Sequence, residues 1–564
     1  MAESANIARH LPLMAARQPE QPAIKVPRGR TSDGRIDYLT LTFRELDQEV
    51  DLWVILLQIK GVQKGDRVLV MVKQGLPLIA AAFALFKLGA VPVIIDPGMG
   101  RKNFLTCVAR SKPRILLGIP LAQVLSHLFR SAFSSVEIRL WASSSATARI
   151  GNNAQRSTLN SQLVNSTAAD LAAVLFTSGS TGAPKGVCYE HGMFEAQVRL
   201  IRDTYQIQPG EIDLPMLPIF ALFNPALGMT TIVPEIDPSR PAAVDPAKIV
   251  QAILQEGVTN SFGSPTLWRK IFDHCLARNI TLPSLHRVLC AGAAIPASLW
   301  ADAPRVLTHG QLHSPYGATE VLPVATVSAT EVGTSAGQGT LVGLPLAANQ
   351  VKIIALHQGP LASLEAVREL APGEIGEIIV TGPTVTKAYD SLPEATAAAK
   401  IPFSGSQLST LSSQLAASGG CWHRMGDAGY LDAEGRLWFC GRIVERIQTA
   451  TGPIHTEPCE LIFRSHARVA RCALIGLGLA GQQEPALVVQ IAGKPAFMEE
   501  QALTIELSKL ARQHPHTAAI RKFYFRRSFP VDVRHNAKIH RLTLAQWAAT
   551  AKSYSSCSEE TLTP

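Results

Sequence analysis

The chain has 564 residues, of which 47% are hydrophobic and 17% charged. This length exceeds one ordinary domain, and the composition excludes a disordered chain. The formal net charge of +9 is not gathered into a long Lys/Arg block, so no nucleic-acid partner is expected. The nine cysteines form no CxxC pair and no Cys/His metal spacing, which argues against a zinc site and favours reduced thiols in the cytoplasm.

The N-terminal residues are not a signal peptide, because an acid appears early and no long apolar core follows. The most apolar segment, residues 78–86, is too short to span a bilayer. We therefore expect a cytoplasmic protein without a transmembrane segment. Peripheral membrane contact stays open.

The first hundred residues predict a helix and then a βαβ unit of a parallel sheet. Thr42 and Glu45 form a capping-box signature that marks a helix start. Hydrophobic patterning then predicts a strand at 68–72, a helix at 78–88 closed by Gly89, and a strand at 91–95.

Later segments continue the same alternation. Short apolar runs predict strands at 114–117, 171–176 and 287–290. The proline-rich segment 213–246 is interpreted as irregular, and alternation predicts an antiparallel strand at 373–380. A strand at 435–442 ends in a Gly-Arg turn, and we place a domain boundary at 442–445.

A glycine- and hydroxyl-rich stretch directly follows the strand at 171–176. Glycines allow backbone N–H groups to form an anion-binding nest, and a lysine adds a point charge suited to phosphate. The stretch does not fit the Walker A pattern, and a flexible surface loop is the plain alternative. Its residues are Thr177, Ser178, Gly179, Ser180, Thr181, Gly182, Ala183, Pro184, Lys185 and Gly186.

Four further motifs follow in a fixed order. They are Tyr316-Gly317-Ala318-Thr319-Glu320, His423-Arg424-Met425-Gly426-Asp427, Gly441-Arg442 and Asn536-Ala537-Lys538-Ile539-His540-Arg541. With the glycine-rich stretch they resemble the adenylate-forming superfamily of acyl-CoA synthetases, luciferases and nonribosomal peptide adenylation domains, over about residues 42–541.

This resemblance implies an α/β fold with two domains. A large N-terminal domain of stacked mixed sheets with flanking helices would span 1–441. A hinge would occupy 442–445, and a smaller mobile α+β C-terminal domain 446–552. We expect the tail, 553–564, to be disordered.

The resemblance also implies ATP and Mg²⁺ as cofactors, with a role for each motif. The glycine-rich stretch would hold the β- and γ-phosphates, and Glu320 would bind Mg²⁺ through oxygen. Thr319 would contact a phosphate. Tyr316, with Gly317 and Ala318, would stack on adenine, and Ala291, Gly292 and Ala293 would form the adjoining wall. Asp427 would bind the ribose, Arg442 would contact the nucleotide, and Lys538 would contact the carboxylate and the α-phosphate. The implied catalytic residues are Lys538, Glu320, Thr319 and Lys185.

Each of these residues also has an ordinary interpretation outside its motif. Glu320 alone would be a surface or capping glutamate, and Tyr316 a core aromatic. Asp427 would be a turn residue before Gly429. A lone lysine such as Lys538 is commonly solvated surface, so its role depends wholly on the resemblance.

The sequence departs from the superfamily pattern near the hinge. Val444 replaces the usual hinge aspartate, and Gln448 replaces the lysine that usually follows. The usual Ser-Gly-Lys is His535-Asn536-Ala537-Lys538, and the aromatic-histidine pair is Phe220-Ala221. These changes put transfer of the acyl group to a thiol in doubt, but not adenylation.

One branch, the olefin β-lactone synthetases, is more similar. The similar segments are 86–92, 213–215, 218–228, 237–241, 262–265 and 534–539. This resemblance implies adenylation of a long-chain 2-alkyl-3-hydroxyalkanoic acid and attack by its own 3-hydroxyl to close a β-lactone. It also implies neighbours in the pathway: a thiolase-like enzyme, a reductase and a β-lactone decarboxylase.

The substrate pocket is expected around the segment 218–228. Its candidate residues are Phe220, Ala221, Leu222, Phe223, Leu227, Gly228, Met229 and Gly263. Taken singly, each apolar residue could equally belong to the core. Two other functions stay open: a long-chain fatty acyl-CoA synthetase or fatty acyl-AMP ligase, and a non-catalytic nucleotide-binding scaffold.

Overall fold

The computed structural model describes residues 4–142, 162–177, 184–237, 243–332, 337–404, 420–493, 499–531 and 539–555. Strands and helices alternate along these ranges. The strands are β1 (Pro22–Arg30), β2 (Ile36–Thr42), β3 (Arg67–Met71), β4 (Val91–Ile95), β5 (Ile115–Gly118), β6 (Ile138–Trp141), β7 (Leu171–Thr177), β8 (Lys185–Glu190), β9 (Ile212–Pro215), β10 (Thr230–Ile232), β11 (Asn260–Gly263), β12 (Arg287–Cys290), β13 (Gln311–Ala318), β14 (Val321–Ser328), β15 (Thr340–Pro345), β16 (Gln350–Ile354), β17 (Gly376–Thr381), β18 (Lys400–Pro402), β19 (Cys421–Leu431), β20 (Leu437–Arg442), β21 (Ile447–Thr449), β22 (Gly452–Ile454), β23 (Val469–Leu477), β24 (Glu484–Ile491) and β25 (Lys522–Phe525).

The helices within the same ranges pack on the faces of these sheets. They are α1 (His10–Arg17), α2 (Phe43–Ile59), α3 (Leu76–Leu88), α4 (Arg101–Ser111), α5 (Pro120–Leu128), α6 (His191–Tyr205), α7 (Asn224–Leu227), α8 (Pro246–Glu256), α9 (Pro265–Ala277), α10 (Ala297–Val306), α11 (Ala329–Val332), α12 (Pro393–Ala399), α13 (Thr456–Arg464), α14 (Glu499–Arg512) and α15 (Arg541–Ala548). Among the described residues, no helix combines the length and apolar character needed to cross a membrane.

A sheet in the order β6-β5-β3-β4-β7-β8 forms the first layer. Its strands are parallel except for the β7–β8 pair. The sequence prediction of a βαβ unit is confirmed: β4 has the predicted bounds, β3 begins one residue early, and Gly89 caps α3 at φ 69°. The capping box of Thr42 and Glu45 at the start of α2 is also confirmed.

A larger mixed sheet forms the second layer. Its order is β16-β17-β19-β20-β15-β14-β13-β12-β11-β9-β10-β1-β2, with β18 paired to β19. The strands from β10 through β13 are parallel, and those from β13 to β16 are antiparallel. The carboxyl ends of parallel strands are where ligands bind in open α/β sheets, so this half indicates where a site should lie.

The chain beyond Arg442 builds its own small sheets. A short 3₁₀ helix, Ile443–Glu445, leads into the β21–β22 hairpin, and a β23-β24-β25 sheet follows. One apolar core lies between this sheet and α13 and α14, and another lies under α15. Strands and helices therefore alternate in the described residues of this part as well.

Two sequence predictions need correction. The segment 213–246 is not irregular: its described residues contain β9, a 3₁₀ helix (Pro218–Phe223), α7 and β10, and α8 begins at its end. The predicted disordered tail does not begin at residue 553, because Tyr554 forms a β-bridge with Phe523 and its hydroxyl bonds to Glu500. Residues 556–564 lie outside the described ranges.

Candidate functional site

Tyr316, Asp427 and Arg442 form one hydrogen-bonded group, which we call the Asp427 cluster. The Tyr316 hydroxyl donates to Oδ2 of Asp427 at 2.6 Å, and the Arg442 guanidinium donates to Oδ1 at 2.5 Å. Arg442 also donates to the carbonyl of Met425 at 3.1 Å. The sequence motifs that were predicted to bind the nucleotide therefore meet in space.

Strand pairing explains how Asp427 and Arg442 come together. The two residues are directly opposite each other in the antiparallel β19–β20 pair. Gly441, the neighbour of Arg442, has φ 118°, and a Cβ there would lie 2.3 Å from Oγ1 of Thr456. Glycine is therefore required where β20 passes against the start of α13.

Electrostatics couples the members of the Asp427 cluster. The nearby Asp427 carboxylate raises the pKa of Arg442. Burial raises the pKa of Tyr316 well above its ordinary range, and the Asp427 charge adds to that shift. A neutral phenol, a carboxylate and a guanidinium thus face one another, and this group can exchange its internal hydrogen bonds for bonds to a polar ligand.

Thr319 and Glu320 form the tip of a tight hairpin. Ala318 of β13 pairs with Val321 of β14, so these two residues are the whole turn. A Cβ at Gly317 would lie 2.7 Å from the carbonyl oxygen of Val321, which excludes any larger residue just before the turn. The hairpin places Glu320 at the carboxyl end of β13, next to the Asp427 cluster.

Glu320 is held by Tyr389, a residue that sequence reasoning missed. The Tyr389 hydroxyl donates to Oε1 of Glu320 at 2.7 Å, and Nζ of Lys185 lies 4.6 Å from the centre of the Tyr389 ring. Burial raises the pKa of Tyr389, and the Glu320 charge raises it further. We call Lys185, Tyr389 and Glu320 the Glu320 cluster; the charge of Arg442 also acts on Tyr389, so the two clusters adjoin.

The backbone of the hairpin tip is tied down as well. Thr386 donates from its backbone N–H and its hydroxyl to the carbonyl of Glu320, at 2.9 and 3.1 Å. The Tyr189 hydroxyl donates to the carbonyl of Thr319. The turn is therefore fixed before any ligand arrives, which favours preorganised binding.

A second missed residue, Lys400, is buried beneath this turn. Its ammonium donates to the hydroxyl of Thr386 at 3.3 Å. Burial lowers the pKa of Lys400 to about 8, with Glu320 acting in the opposite direction. No local motif marks this lysine, because its position comes from the pairing of β18 with β19.

Part of the glycine-rich stretch lies within the described residues. Thr177 ends β7 and pairs with Lys185 at the start of β8, so the two residues flank the segment between them. Pro184 accepts a hydrogen bond from Arg110 at 2.9 Å. Ser178, Gly179, Ser180, Thr181 and Gly182 lie outside the described residues, so their predicted phosphate contacts stay predictions.

Ala291, Gly292 and Ala293 directly follow β12. They leave the sheet at the carboxyl ends of the parallel strands β11 and β12, where Ala291 N–H donates to the carbonyl of Gly263 at 3.2 Å. Because β13 pairs beside β12, these small residues share one edge of the sheet with Tyr316. Their role as an adenine wall stays a prediction.

A pocket that is partly open to solvent lies on the amino side of this edge. Four predicted pocket residues line it: Phe220, Phe223, Leu227 and Met229. The Phe220 and Phe262 rings stack at 3.7 Å between centroids. Leu322 and Pro323, just past Glu320, complete one wall, so the pocket reaches the hairpin that carries the Glu320 cluster.

Four other predicted pocket residues do not line this cavity. Ala221 and Leu222 pack into the core beside the six-stranded sheet. Gly228 caps α7 in the left-handed conformation, and Gly263 lies against Met216 and Trp268. The 3₁₀ helix explains the outcome for Ala221 and Leu222, because successive residues of such a helix point to different sides.

The pocket has one polar wall, which the sequence did not reveal. Asp213 lines it and accepts a hydrogen bond from the amide of Asn224 at 2.8 Å. Burial raises the pKa of Asp213 to about 7. In register, Asp213 pairs with Asn260 at the amino end of β11, so it lies at the opposite end of the strands from Ala291.

The donor set fits one hard cation held jointly with a ligand. The described residues contain no group of three or more His, Cys, Asp or Glu able to hold a metal ion. Glu320 does provide a carboxylate at the sheet edge, close to Lys185. Mg²⁺ is commonly bound by one or two carboxylates together with substrate phosphates and water, which fits this arrangement.

Lys538 lies outside the described residues, but residues before and after its segment are described. Val531 and Ile539, which border that segment, form a β-bridge with each other. Arg541 donates to both oxygens of Glu460 at 2.8 Å and to Glu445 at 2.9 Å. The segment that carries Lys538 is therefore anchored to the 3₁₀ helix that follows Arg442.

Comparison with known proteins places this geometry in context. The sequence profile described as AMP-binding enzyme matches residues 13–390. The olefin beta-lactone synthetase of Xanthomonas campestris pv. campestris is 43% identical over 561 residues, which cover 97% of this chain and 98% of that protein. The olefin beta-lactone synthetase of Stenotrophomonas maltophilia is 42% identical over 563 residues, covering 97% and 99%.

Solved structures share the fold at lower identity. O-succinylbenzoate coenzyme A synthetase from Bacillus subtilis, in complex with ATP and a magnesium ion, superposes with a TM-score of 0.72 at 21% identity. The match covers 95% of this chain and 98% of that chain. This likeness confirms the predicted architecture of a large sheet-rich part and a smaller C-terminal part.

Proposed function

The chain belongs to the AMP-binding family of enzymes, and on that premise we propose that it is an ATP-dependent β-lactone synthetase. It would activate a long-chain 2-alkyl-3-hydroxyalkanoic acid as its acyl-AMP and then close the β-lactone. One observation carries this proposal: the similarity to two olefin beta-lactone synthetases extends over 97% of the chain, and so includes the altered hinge and the pocket segment.

The first step is adenylation. An oxygen of the substrate carboxylate attacks the α-phosphorus of ATP, and pyrophosphate leaves. Negative charge must be stabilised on both reactants, and Lys185 and Lys538 are the cations assigned to it. Asp427 would accept hydrogen bonds from the ribose, Arg442 would contact the nucleotide, and Tyr316 would lie against adenine. Mg²⁺, held by Glu320 and phosphate oxygens, would screen the phosphate charge.

The second step closes the ring without a second substrate. The 3-hydroxyl oxygen bonds to the acyl carbon, the bond from that carbon to the AMP oxygen breaks, and the hydroxyl proton is released. Because nucleophile and electrophile belong to one molecule, the entropy of bringing them together is already lost on binding. An altered hinge at Val444, half exposed to solvent, fits an enzyme that needs no thiol.

The pocket supports a long apolar substrate. Phe220, Phe223 and Leu227 offer apolar surface beside the hairpin of Glu320. Burying an alkyl chain there would contribute about 0.8 kcal/mol for each methylene removed from water. The carboxylate of such a substrate would then lie towards the carboxyl ends of the parallel strands.

We extend the proposal to location and partners. The dispersed cysteines, which form no CxxC pair, support a cytoplasmic enzyme. The resemblance supports work beside a thiolase-like enzyme, a reductase and a β-lactone decarboxylase. To test for an assembly with these enzymes, the tagged protein is purified from its native cell and the eluate is analysed by mass spectrometry. Absence of the three enzymes from the eluate would contradict the proposed assembly.

One experiment separates the proposed function from its rivals. Purified protein is incubated with ATP, Mg²⁺ and a 2-alkyl-3-hydroxy acid, with and without coenzyme A, and the products are resolved by mass spectrometry. We expect β-lactone, AMP and pyrophosphate in both reactions. A thioester formed only with coenzyme A would favour an acyl-CoA synthetase. Failure of Lys538→Ala to reduce AMP release would contradict the assigned catalytic residue.

A further inference from the structure

The net positive charge of this chain comes mainly from one sequence segment that contains few acids. Between Asp96 and Asp170 the sequence contains nine Lys and Arg residues and a single acid, Glu137. Nine cations less one anion give +8, against +9 for the whole chain. The single acid is ion-paired with Arg114 at 2.9 Å. This segment therefore carries an excess of positive charge, whereas the positive and negative charges of the rest of the chain nearly cancel.

The helix α5 within this segment has its apolar side turned to solvent. Leu121, Val124 and Leu128 follow helical spacing, so they lie along one face, and they are 62%, 60% and 70% exposed. The opposite face buries small or polar side chains, namely Ala122, Gln123 and Ser126. A helix that only covers a sheet would have its apolar side chains against the sheet and its polar side chains in solvent.

Close packing on the edge strand explains the small inner residues. A Cβ at Gly118 of β5 would lie 2.7 Å from Cβ of Ala122, so the helix is seated directly on the sheet. Gln123 donates to the carbonyl of Leu140 at 2.8 Å, and Arg139 donates to the hydroxyl of Ser126 at 3.0 Å. These polar contacts fix which face of α5 points outward.

Trp141 extends the exposed apolar surface beyond the helix. It is paired with Gly118 across the β5–β6 register, on the same side of the sheet as α5, and its side chain is 60% exposed. β6 is the edge strand of its sheet. Large apolar side chains exposed together are unusual on a soluble surface and mark an interaction site. We call Leu121, Val124, Leu128 and Trp141 the α5 face.

Cations border the α5 face at its C-terminal end. Arg130 follows the helix and is exposed. The Arg101 guanidinium lies 5.9 Å from the centre of the Phe129 ring, which brings the start of α4 and the exposed Lys102 next to Leu128. An apolar stripe flanked by basic side chains is the arrangement by which helices lie in the surface of anionic membranes.

We propose that the α5 face binds the surface of an anionic lipid bilayer, with its apolar side chains among the lipids and Arg101, Lys102 and Arg130 against the phosphates. Charge complementarity selects this occupant: the exposed cations Arg101, Lys102 and Arg130 border the apolar side chains, and an anionic bilayer presents phosphates beside an apolar interior. A partner protein would need an equally acidic surface around an apolar centre. The inference does not depend on the proposed function, because it concerns a surface on α4, α5 and β6 and not the clusters around Glu320 and Asp427.

Flotation with lipid vesicles tests the proposal. The purified full-length protein is mixed with vesicles of equal parts phosphatidylcholine and phosphatidylglycerol, or of phosphatidylcholine alone. We expect binding to the anionic vesicles, loss of binding as salt is added, and no binding to phosphatidylcholine. Equal binding to both kinds of vesicle, or binding to neither, would overturn the proposal.

Two sets of variants locate the contact. Arg101→Gln, Lys102→Gln and Arg130→Gln together should weaken binding roughly a hundred-fold, at about five-fold for each charge near the surface. Arg28→Gln, Arg202→Gln and Arg368→Gln remove the same charge elsewhere and should bind like the wild type. If the two triple variants bind the vesicles equally, the net charge of the protein, and not this surface, is responsible for binding.

The apolar contribution needs its own control. Leu121→Ser with Leu128→Ser should abolish flotation, while Leu479→Ser with Ile505→Ser, two exposed residues of the C-terminal part, should not. Circular dichroism and thermal melting establish that each variant folds. Sedimentation velocity tests the opposing outcome, self-association of the protein. If the wild type self-associates but does not bind vesicles, and Leu121→Ser with Leu128→Ser abolishes the self-association, the α5 face is a protein interface and not a membrane-binding surface.

Discussion

The Tyr389 hydroxyl donates a 2.7 Å hydrogen bond to the Glu320 carboxylate, although 69 residues separate them in sequence. The aromatic ring of the same tyrosine lies under the ammonium of Lys185. One side chain therefore positions both the carboxylate assigned to the metal and a cation assigned to phosphate. The predictions below begin with this residue.

Tyr389→Phe should impair adenylation while preserving the fold. It removes a hydrogen bond to a charged acceptor, an interaction of about 1.5–3 kcal/mol, but keeps the ring that packs against Lys185. We expect kcat/KM for ATP–pyrophosphate exchange to fall at least ten-fold, and calorimetry should show that magnesium no longer increases ATP affinity as it does in the wild type. Tyr430→Phe is the matched control, since that hydroxyl accepts a hydrogen bond from the backbone N–H of Gln338 instead. Equal loss in both variants would contradict a specific role.

Asp427→Asn should weaken nucleotide binding. The substitution removes the carboxylate that pairs with the Arg442 guanidinium and one acceptor for ribose. We expect the KM for ATP to rise about ten-fold or more, in line with the loss of a hydrogen bond to a charged group. The measurement is steady-state pyrophosphate exchange over a range of ATP concentrations. Asp432→Asn, in the same β-hairpin and paired with Arg436, should leave the KM unchanged.

Asp213→Asn should change how stability depends on pH. The pKa of Asp213 is raised to about 7 from an ordinary value of 3.8, so the folded state binds this proton more tightly than the unfolded chain. The stability that this carboxyl contributes is fully present below about pH 4 and is lost as pH rises to about 7, a change of up to about 4 kcal/mol. Asparagine mimics the protonated acid and carries no such loss.

The Asp213 prediction is checked by thermal melting at pH 5 and pH 8. The melting temperature of Asp213→Asn, relative to that of the wild type, should be higher at pH 8 than at pH 5. Asp203→Asn, which alters an exposed carboxylate, should follow the wild type at both. A constant difference between Asp213→Asn and the wild type would contradict the raised pKa.

Arg541→Gln should destabilise the junction between the two parts of the chain. Its guanidinium neutralises two buried carboxylates, Glu445 and Glu460, and removing one partner of a buried ion pair costs about 3–5 kcal/mol. We expect a lower melting temperature together with slower pyrophosphate exchange. Arg468→Gln breaks a more exposed pair with Glu506 and should change neither by much. A normal melting temperature with slow exchange would show that Arg541 acts only on the Lys538 segment.

Local signals allowed parts of the fold to be predicted from sequence. The capping box of Thr42 and Glu45 and the capping glycine, Gly89, depend on neighbouring residues alone, and the structure has both. The same holds for β4, whose apolar run is bounded by a glycine-alanine pair and an Asp-Pro turn. Where the determining interactions lie within a few residues, sequence patterns suffice.

Proline caused the main error in the fold prediction. Seven prolines in 213–246 argued for irregular structure, but Pro218 and Pro225 open helical turns and Pro215 ends β9. These are the places where proline costs little, because the first helical N–H groups have no partner within the helix. Placing a proline correctly requires knowing where the element begins.

The candidate site was predictable only where it carries a motif. Tyr316, Asp427 and Arg442 were identified from ordered motifs, and the structure brings them together. Tyr389 and Lys400 have no motif, and Asp213 lies in a segment that carries the resemblance but was assigned no role. The positions of all three result from strand pairing across long stretches of chain. The hydrogen bond from Tyr316 to Asp427 was also not foreseen, because a sequence motif does not specify which partner a hydroxyl selects.

Arg442 is both the partner of Asp427 and the last residue of β20, directly before the 3₁₀ helix Ile443–Glu445. A ligand that competes with Arg442 for Oδ1 of Asp427 would loosen or reorient the guanidinium at the entrance to that helix. Glu445 at its far end is in turn bonded to Arg541. We therefore expect nucleotide binding at Asp427 and the contacts of Arg541 to be coupled through this short connection, so that a substitution at either end alters the other.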